Sequence, residues 1–242
     1  MRAVSVASVP DPAERPHRWA DLGLRTVSAL ILGPIVIACV WSGGAIFAVI
    51  VGLATVGLAV EWLRLLSGGR RGRRACMAWA TAGLGYVVIA SAAFLWLRSA
   101  PDVGRANVLF LLVVVWSSDI GAYAVGRLIG GPRLAPHISP GKTLSGAAGG
   151  LLAAVAAGMF AAHLLADGSS WGAIAIAALL GVVAQGGDLL ESFVKRRLEV
   201  KDSGHLIPGH GGLFDRLDAL LAVAPVGALL ALILGRGVVL WQ

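Results

Sequence analysis

Seven stretches of this chain are almost unbrokenly apolar, at about residues 27–42, 44–63, 77–97, 107–126, 144–166, 171–191 and 219–240. Polar residues fall between them in dense blocks rather than in alternation. A helix rises about 1.5 Å per residue, so roughly 20 residues cross the hydrocarbon core of a bilayer. Six stretches reach that length; the first, 27–42, falls short. Gly43 alone separates it from the second stretch, which predicts a tight helical hairpin. The expected fold is all-α, a polytopic membrane bundle of about seven transmembrane helices over 27–242. A polar tail, 1–26, precedes it and carries Pro10, Pro12 and Pro16. That tail lacks the early apolar core of a signal peptide. Trp41, Trp62, Trp79, Trp96, Trp171 and Trp241 fall near predicted ends, as an interfacial aromatic belt requires. Frequent Gly and Ala suit close helix packing in lipid.

Composition agrees with a membrane protein. The chain is 57% hydrophobic and 14% charged, against about 25% charge in soluble domains. Mean hydropathy is +0.83. The net charge of +7 raises the question of nucleic acid, but the basic clusters lack the motifs of such proteins, so no nucleic-acid partner is expected. The cations report orientation instead. With the N-terminal tail in the cytoplasm, 17 of the 20 Lys and Arg residues lie on that side. Only Arg98, Arg105 and Arg236 lie on the other. The polar loops 127–143 and 192–218 are then both cytoplasmic, where nucleotides are available. Cys39 and Cys76 fall near opposite faces and should not pair. No zinc-ligand spacing is present among the histidines and cysteines.

The block from Ser192 to Asp218, SFVKRRLEVKDSGHLIPGHGGLFDRLD, interleaves acidic and basic groups with Gly204, Gly209, Gly211 and Gly212. Charge at a membrane edge is costly unless it meets water or forms a site. Glycines let backbone N–H groups approach phosphate oxygens. Asp188 and Glu191 share a helix face, as do Asp215 and Asp218, because each pair is three residues apart. Asp119 precedes Arg127 by about two turns. All five carboxylates are expected at one depth. Such hard oxygen ligands suit Mg²⁺ together with phosphate. The plain structural alternative makes Asp215 and Asp218 helix-terminal dipole partners and pairs Asp119 with an arginine.

Among the cations, Lys195, Arg196, Arg197 and Lys201 follow span six, and Lys201 adjoins Asp202 in a loop rich in turn residues. His210 either donates to phosphate or caps the loop. In the other loop, Gly141-Lys142-Thr143 ends like a G-x-x-x-x-G-K-T phosphate loop, but Pro136 stands where the first glycine is required, so that motif fails. Ser139, Lys142, Thr143 and Ser145 still offer donors just before a helix start; the plain alternative is a Ser-Pro turn with helix-capping residues.

The block 192–218 resembles the signature of phosphatidate cytidylyltransferases, the CDP-diglyceride synthases. The matching residues are Ser192, Lys195, Arg196, Lys201, Asp202, Gly204, Pro208, His210, Gly211, Gly212, Asp215, Arg216 and Asp218. Asp119 to Tyr123 with Gly126 and Arg127, Ser139-Pro140 with Lys142-Thr143, and Gly186 to Leu189 are similar to further family segments. Together these cover roughly the C-terminal half. Gly141 departs from the family's pattern, in which a second lysine is common.

The resemblance implies a transmembrane nucleotidyltransferase that converts CTP and phosphatidate into CDP-diacylglycerol and pyrophosphate for phospholipid synthesis. It implies metal ligands at Asp188 and Asp215, with Mg²⁺ and a monovalent cation such as K⁺; the carboxylate cluster adds Asp119 to that set. Catalytic roles fall to Lys201, Asp202, Asp218, Lys195 and Arg196, and substrate contacts to Ser139, Lys142, Thr143, His210, Gly211, Gly212 and Arg216. The expected partners are CTP, phosphatidate, membrane lipids and, left open, a second copy of the chain. The expected location is a bacterial inner membrane. Two other readings compete. A CTP-dependent lipid kinase would release CDP instead of pyrophosphate. A transporter predicts broken helices in related halves, and no internal repeat is visible.

Overall fold

The computed structural model describes residues 20–67, 72–165, 170–200, 204 and 212–242, without the side chains of 20–29 and 170. Close contacts divide the chain into two units, Met1–Ala38 and Cys39–Gln242. The described part of the first unit is helical throughout and belongs to α1, Ala20–Ser42. This helix begins well before the apolar stretch that announces it.

The second unit continues with α2 (Gly44–Ser67), α3 (Arg73–Arg98), α4 (Gly104–Ile129), β1 (Arg133–Ala135), β2 (Ser139–Thr143), α5 (Leu144–Leu165), α6 (Ser170–Arg197) and α7 (Phe214–Leu234). Among the described residues, six helices, α2 to α7, are long and apolar enough to cross a membrane, and Leu30–Ser42 is a shorter apolar piece. The protein is an all-α, multi-pass membrane protein. Its exposed side chains include Leu53, Ile120, Leu152, Phe160 and Ile233, as expected where lipid rather than water is the solvent.

Helices α4 and α5 pack most extensively, and small residues explain why. A Cβ on Gly149 would lie 2.4 Å from Val125 Cβ, and one on Gly121 would lie 2.5 Å from Ala153 Cβ. Gly150 and Gly146 meet the carbonyls of Ser118 and Ala122 in the same way. Small residues on both faces let the backbones approach, which lipid-embedded helices use in place of a hydrophobic drive.

Gly43 makes the turn between α1 and α2 at φ 61°. A side chain there would collide with the Arg98 guanidinium, whose Nε donates to Val40 O at 2.6 Å. Arg105 lies over the Trp41 ring at 4.3 Å, and Arg236 donates to Ser99 Oγ at 2.7 Å. The three arginines left over by the charge count therefore sit together at one end of the bundle.

Four sequence expectations need correction. The seventh helix ends at Leu234, not near residue 240, because Gly235 takes φ 111° and turns the chain back. Trp241 then stacks on Phe110, ring centroids 4.5 Å apart, and is fully buried; it is not part of an interfacial belt. Nor is Trp62, which is 4% exposed and donates from Nε1 to Trp79 O at 3.0 Å. Trp41 and Trp171 are exposed as the belt requires. Finally, the loop after α4 holds an antiparallel hairpin that pairs Arg133 with Thr143 and Ala135 with Ser139. Two strands this short carry too few alternating positions to register as a pattern.

Candidate active site

Helices α4, α6 and α7 run past their apolar stretches, and their extensions carry the charged residues. A helix can continue into water once its polar faces are solvated, so the apolar run understates its length. The end of α6 holds Asp188 and Glu191 inside its apolar stretch and Lys195 beyond it; the start of α7, ahead of its stretch, holds Asp215 and Asp218.

Carboxylate oxygens of Asp188, Glu191 and Asp218 lie within 4.8 Å of one another. Glu191 is 6% exposed, and its Oε1 accepts no hydrogen bond. Lys195 Nζ stands 3.2 Å from that oxygen, supplying charge rather than a directed bond. Gly187, one residue after Gly186 on α6, lets α7 come close: a Cβ there would lie 2.6 Å from Ala222 Cβ and 3.0 Å from Asp218 O. That approach places Asp218 beside the α6 carboxylates. Asp119, exposed on α4, lies within electrostatic reach of Asp188 and Lys142.

Asp215 is held differently. Its Oδ1 accepts from Lys195 Nζ at 2.7 Å and its Oδ2 from Gly212 N–H at 3.0 Å. The Gly212 amide is thus engaged by Asp215 rather than turned toward a ligand. Lys195 bridges Asp215 and Glu191. Of the metal ligands expected from the sequence, Asp188 belongs to the close trio, Asp215 is ion-paired beside it, and Asp119 lies on the facing helix. Glu191 and Asp218 complete the trio.

The hairpin brings the second polar loop to the same place. Lys142, on β2, pairs with Asp188 at 2.6 Å. Arg196 Nε donates to Ile138 O in the hairpin turn at 3.3 Å. Thr143 Oγ1 accepts from Gly146 N–H at 3.0 Å and so caps the start of α5. Ser145 Oγ bonds to Gly130 O. Ser139 is a half-buried strand residue and Arg216 is exposed on the first turn of α7. Lys201, Asp202, His210 and Gly211 lie outside the described residues.

Beside the carboxylates lies an apolar cleft of about 240 Å³ lined by Trp62, Trp79, Tyr86 and Phe214, with Glu191 and Asp218 at its polar edge. The rings of Trp62 and Phe214 are 5.5 Å apart. Room for Trp62 comes from Gly83, where any Cβ would overlap the indole. One further charged group belongs to this end. Glu61 on α2 is 2% exposed, and its Oε2 accepts from Phe214 N–H at 2.7 Å. An acidic residue inside an apolar stretch is its sequence signal; its partner, some 150 residues away, leaves none.

Carboxylates suited to a hard cation, lysines suited to phosphate and an aromatic cleft suited to lipid meet at one end of a membrane bundle. These features define a membrane enzyme acting on charged phosphate groups at the bilayer edge. The family model described as the cytidylyltransferase family matches residues 70–234. A phosphatidate cytidylyltransferase of Brucella suis biovar 1 (strain 1330) is 37% identical over 250 residues, covering 85% of this chain and 91% of that protein. Those of Bacillus subtilis (strain 168) and Mycobacterium leprae (strain TN) are 42% and 43% identical over 133 and 135 residues, covering 54% and 56% of this chain and 49% and 43% of theirs. The chain belongs to the cytidylyltransferase family.

Proposed function

We propose that this protein transfers CMP from CTP to phosphatidate, giving CDP-diacylglycerol and pyrophosphate in phospholipid synthesis. The observation that carries this reading is the meeting of Lys142 and Lys195 with Asp188, Glu191 and Asp218, next to an apolar cleft.

The nucleophile is a phosphomonoester oxygen of phosphatidate. Its second pKa is about 6, so it is largely ionised at neutral pH and needs no general base. It attacks the α-phosphorus of CTP. A new P–O bond forms, the α–β anhydride bond breaks, and the bonding pair leaves with pyrophosphate. The obstacle is electrostatic: two anions must meet, and charge grows on the leaving group. Catalysis of this kind is mostly positioning and charge stabilisation.

The all-oxygen trio of Asp188, Glu191 and Asp218, with carboxylate oxygens within 4.8 Å of one another, fits Mg²⁺. When bound, Mg²⁺ would shield the phosphates and stabilise the departing pyrophosphate. Asp119, on the opposite helix, offers a further oxygen for a monovalent cation such as K⁺. Lys142 swings from Asp188 to the CTP phosphates. Lys195, oriented by Asp215 and Glu191, faces the reacting phosphates. Lys201 and His210 are assigned to CTP by the family signature. The aromatic cleft holds the apolar body of phosphatidate, whose headgroup then reaches the carboxylate edge. This end of the bundle faces the cytoplasm of a bacterial inner membrane, in keeping with the split of cations.

Purified protein with CTP, Mg²⁺ and phosphatidate should form CDP-diacylglycerol and pyrophosphate in equal amounts. Release of CDP with phosphorylation of an added lipid alcohol would replace the reading by a lipid kinase.

A further inference from the structure

Glu61 is a carboxylate with 2% of its surface exposed, on a helix whose Trp62, Leu65 and Leu66 join Phe214 in one buried apolar cluster. Burying a carboxylate costs several kcal/mol unless hydrogen bonds and charge offset it. A leucine or methionine would fill the same space without that cost. Part of that offset comes from α7. Glu61 Oε2 accepts the Phe214 N–H at 2.7 Å, at the first residue of the helix. A helix start exposes unpaired N–H groups and carries partial positive charge. The residue before it, Leu213, offers no side-chain cap. Glu61 therefore supplies from α2 the cap that α7 lacks in its own sequence. Its other oxygen faces Gly204, where a Cβ would fall 2.4 Å from Oε1. The backbone at Gly204 thus lies against the same carboxylate.

We propose that Glu61 is a positioning residue, which fixes the start of α7 and thereby sets Asp215 and Asp218 against the carboxylates and lysine of α6. The geometry of the helix makes the link direct. Phe214 and Asp218 are four residues apart and share a face. Asp215 is adjacent to the anchored amide, and its own carboxylate reaches back to Gly212 N–H. If α7 rotated or slid by a fraction of a turn, Asp218 would leave the trio and Asp215 would release Lys195.

The activity arm of the test rests on the proposed cytidylyl transfer; the exchange arm does not. Wild type, Glu61→Ala and Glu61→Gln are compared as full-length protein in detergent micelles. Hydrogen exchange is followed in peptides covering 212–220 and, as a reference, 146–160 of α5. Glu61→Ala should speed exchange at 212–220 at least about tenfold and leave α5 unchanged. It should lower kcat about tenfold or more per folded molecule, with the KM for CTP changing less than threefold. Glu61→Gln keeps an acceptor for Phe214 N–H and should restore slow exchange at 212–220 and at least a third of kcat. Unchanged exchange at 212–220 in Glu61→Ala overturns the proposal. So does faster exchange spread equally over α5, which marks a general structural role. A Gln variant with slow exchange but the low kcat of Ala also overturns it, because the charge rather than the anchor would then matter. A wild type that makes no CDP-diacylglycerol sinks the proposed reaction instead, and the exchange data still decide the anchor.

Discussion

Single residues at the site are committed to one another before any substrate arrives. Lys195 is the clearest case, since Asp215 and Glu191 both hold it. Removing one partner of this part-buried pair leaves a charge less well compensated. Asp215→Asn keeps the size of the side chain and loses the charge that orients Lys195. Turnover should fall by about 10²-fold, the scale of losing a main electrostatic contact; near wild-type kcat in the folded variant would remove Asp215 from the site. Lys142→Ala should raise the KM for CTP more than that for phosphatidate, measured by titrating each substrate at saturation of the other. An effect on phosphatidate alone would move Lys142 to the lipid headgroup. At this scale the sequence was partly legible. Helical spacing puts Asp188 and Glu191 on one face, and Asp215 and Asp218 on another. The Lys142–Asp188 pair joins residues 46 positions apart, and no local rule connects them. Glu61 was passed over in the sequence although it is an acid in an apolar run, and its partner is set by the packing of α2 on α7.

Among the elements, the α4–α5 contact is the one most dependent on small residues, and it carries the hairpin with Lys142. Gly149 has Val125 against it, whereas Gly52 on α2 has nothing within 4 Å of a built Cβ. Gly149→Leu should lower the melting temperature in detergent, with overpacking costing about 1–3 kcal/mol. Gly52→Leu should leave it within error. Equal effects of the two would show that α4 and α5 part easily. Helix number and order could be read from the apolar runs, because hydrophobic length is what a bilayer selects. Helix ends could not, since charged residues continue α6 to Arg197 and let α7 begin at Phe214. The β1–β2 hairpin was missed because pairing of three- and five-residue strands depends on a turn and a neighbour rather than on periodicity.

For the molecule as a whole, the distribution of cations predicts an orientation, and the structure groups the three arginines that the count leaves over. Arg98, Arg105 and Arg236 gather at the end opposite the carboxylates, where they bond Val40 O, stack on Trp41 and bond Ser99. A reporter inserted near Ser203 should read cytoplasmic, and one fused after Gln242 should read on the far side. A far-side signal at Ser203 would overturn the mechanism, since CTP would not reach the site. A cytoplasmic signal at Gln242 would cost only the count of crossings. At this scale the sequence offers an expectation of sidedness from the charge asymmetry of its loops, which those reporters test. The inward fold of Val239, Leu240 and Trp241, with Leu240 N–H on the buried Asn107 at 3.0 Å, was hidden because the apolar run continues through Gly235.

The Lys142–Asp188 pair has a consequence for ionic strength. Each partner already carries its counterion in the form of the other. In the proposed reaction the lysine would pass to a phosphate of the nucleotide, and the carboxylate would be freed to hold the divalent cation. Two old pairs, one in the protein and one in solution, become two new ones. Docking is then an ion exchange, and few charges are newly neutralised. An open cationic pocket would lose affinity steeply as salt screens it. Here the KM for CTP should change less than about threefold between 50 and 500 mM KCl, both in the range where screening acts over about 4–14 Å. Lys142→Met should change the sign of the balance: Asp188 is left unpaired, and added salt should improve CTP use by screening it.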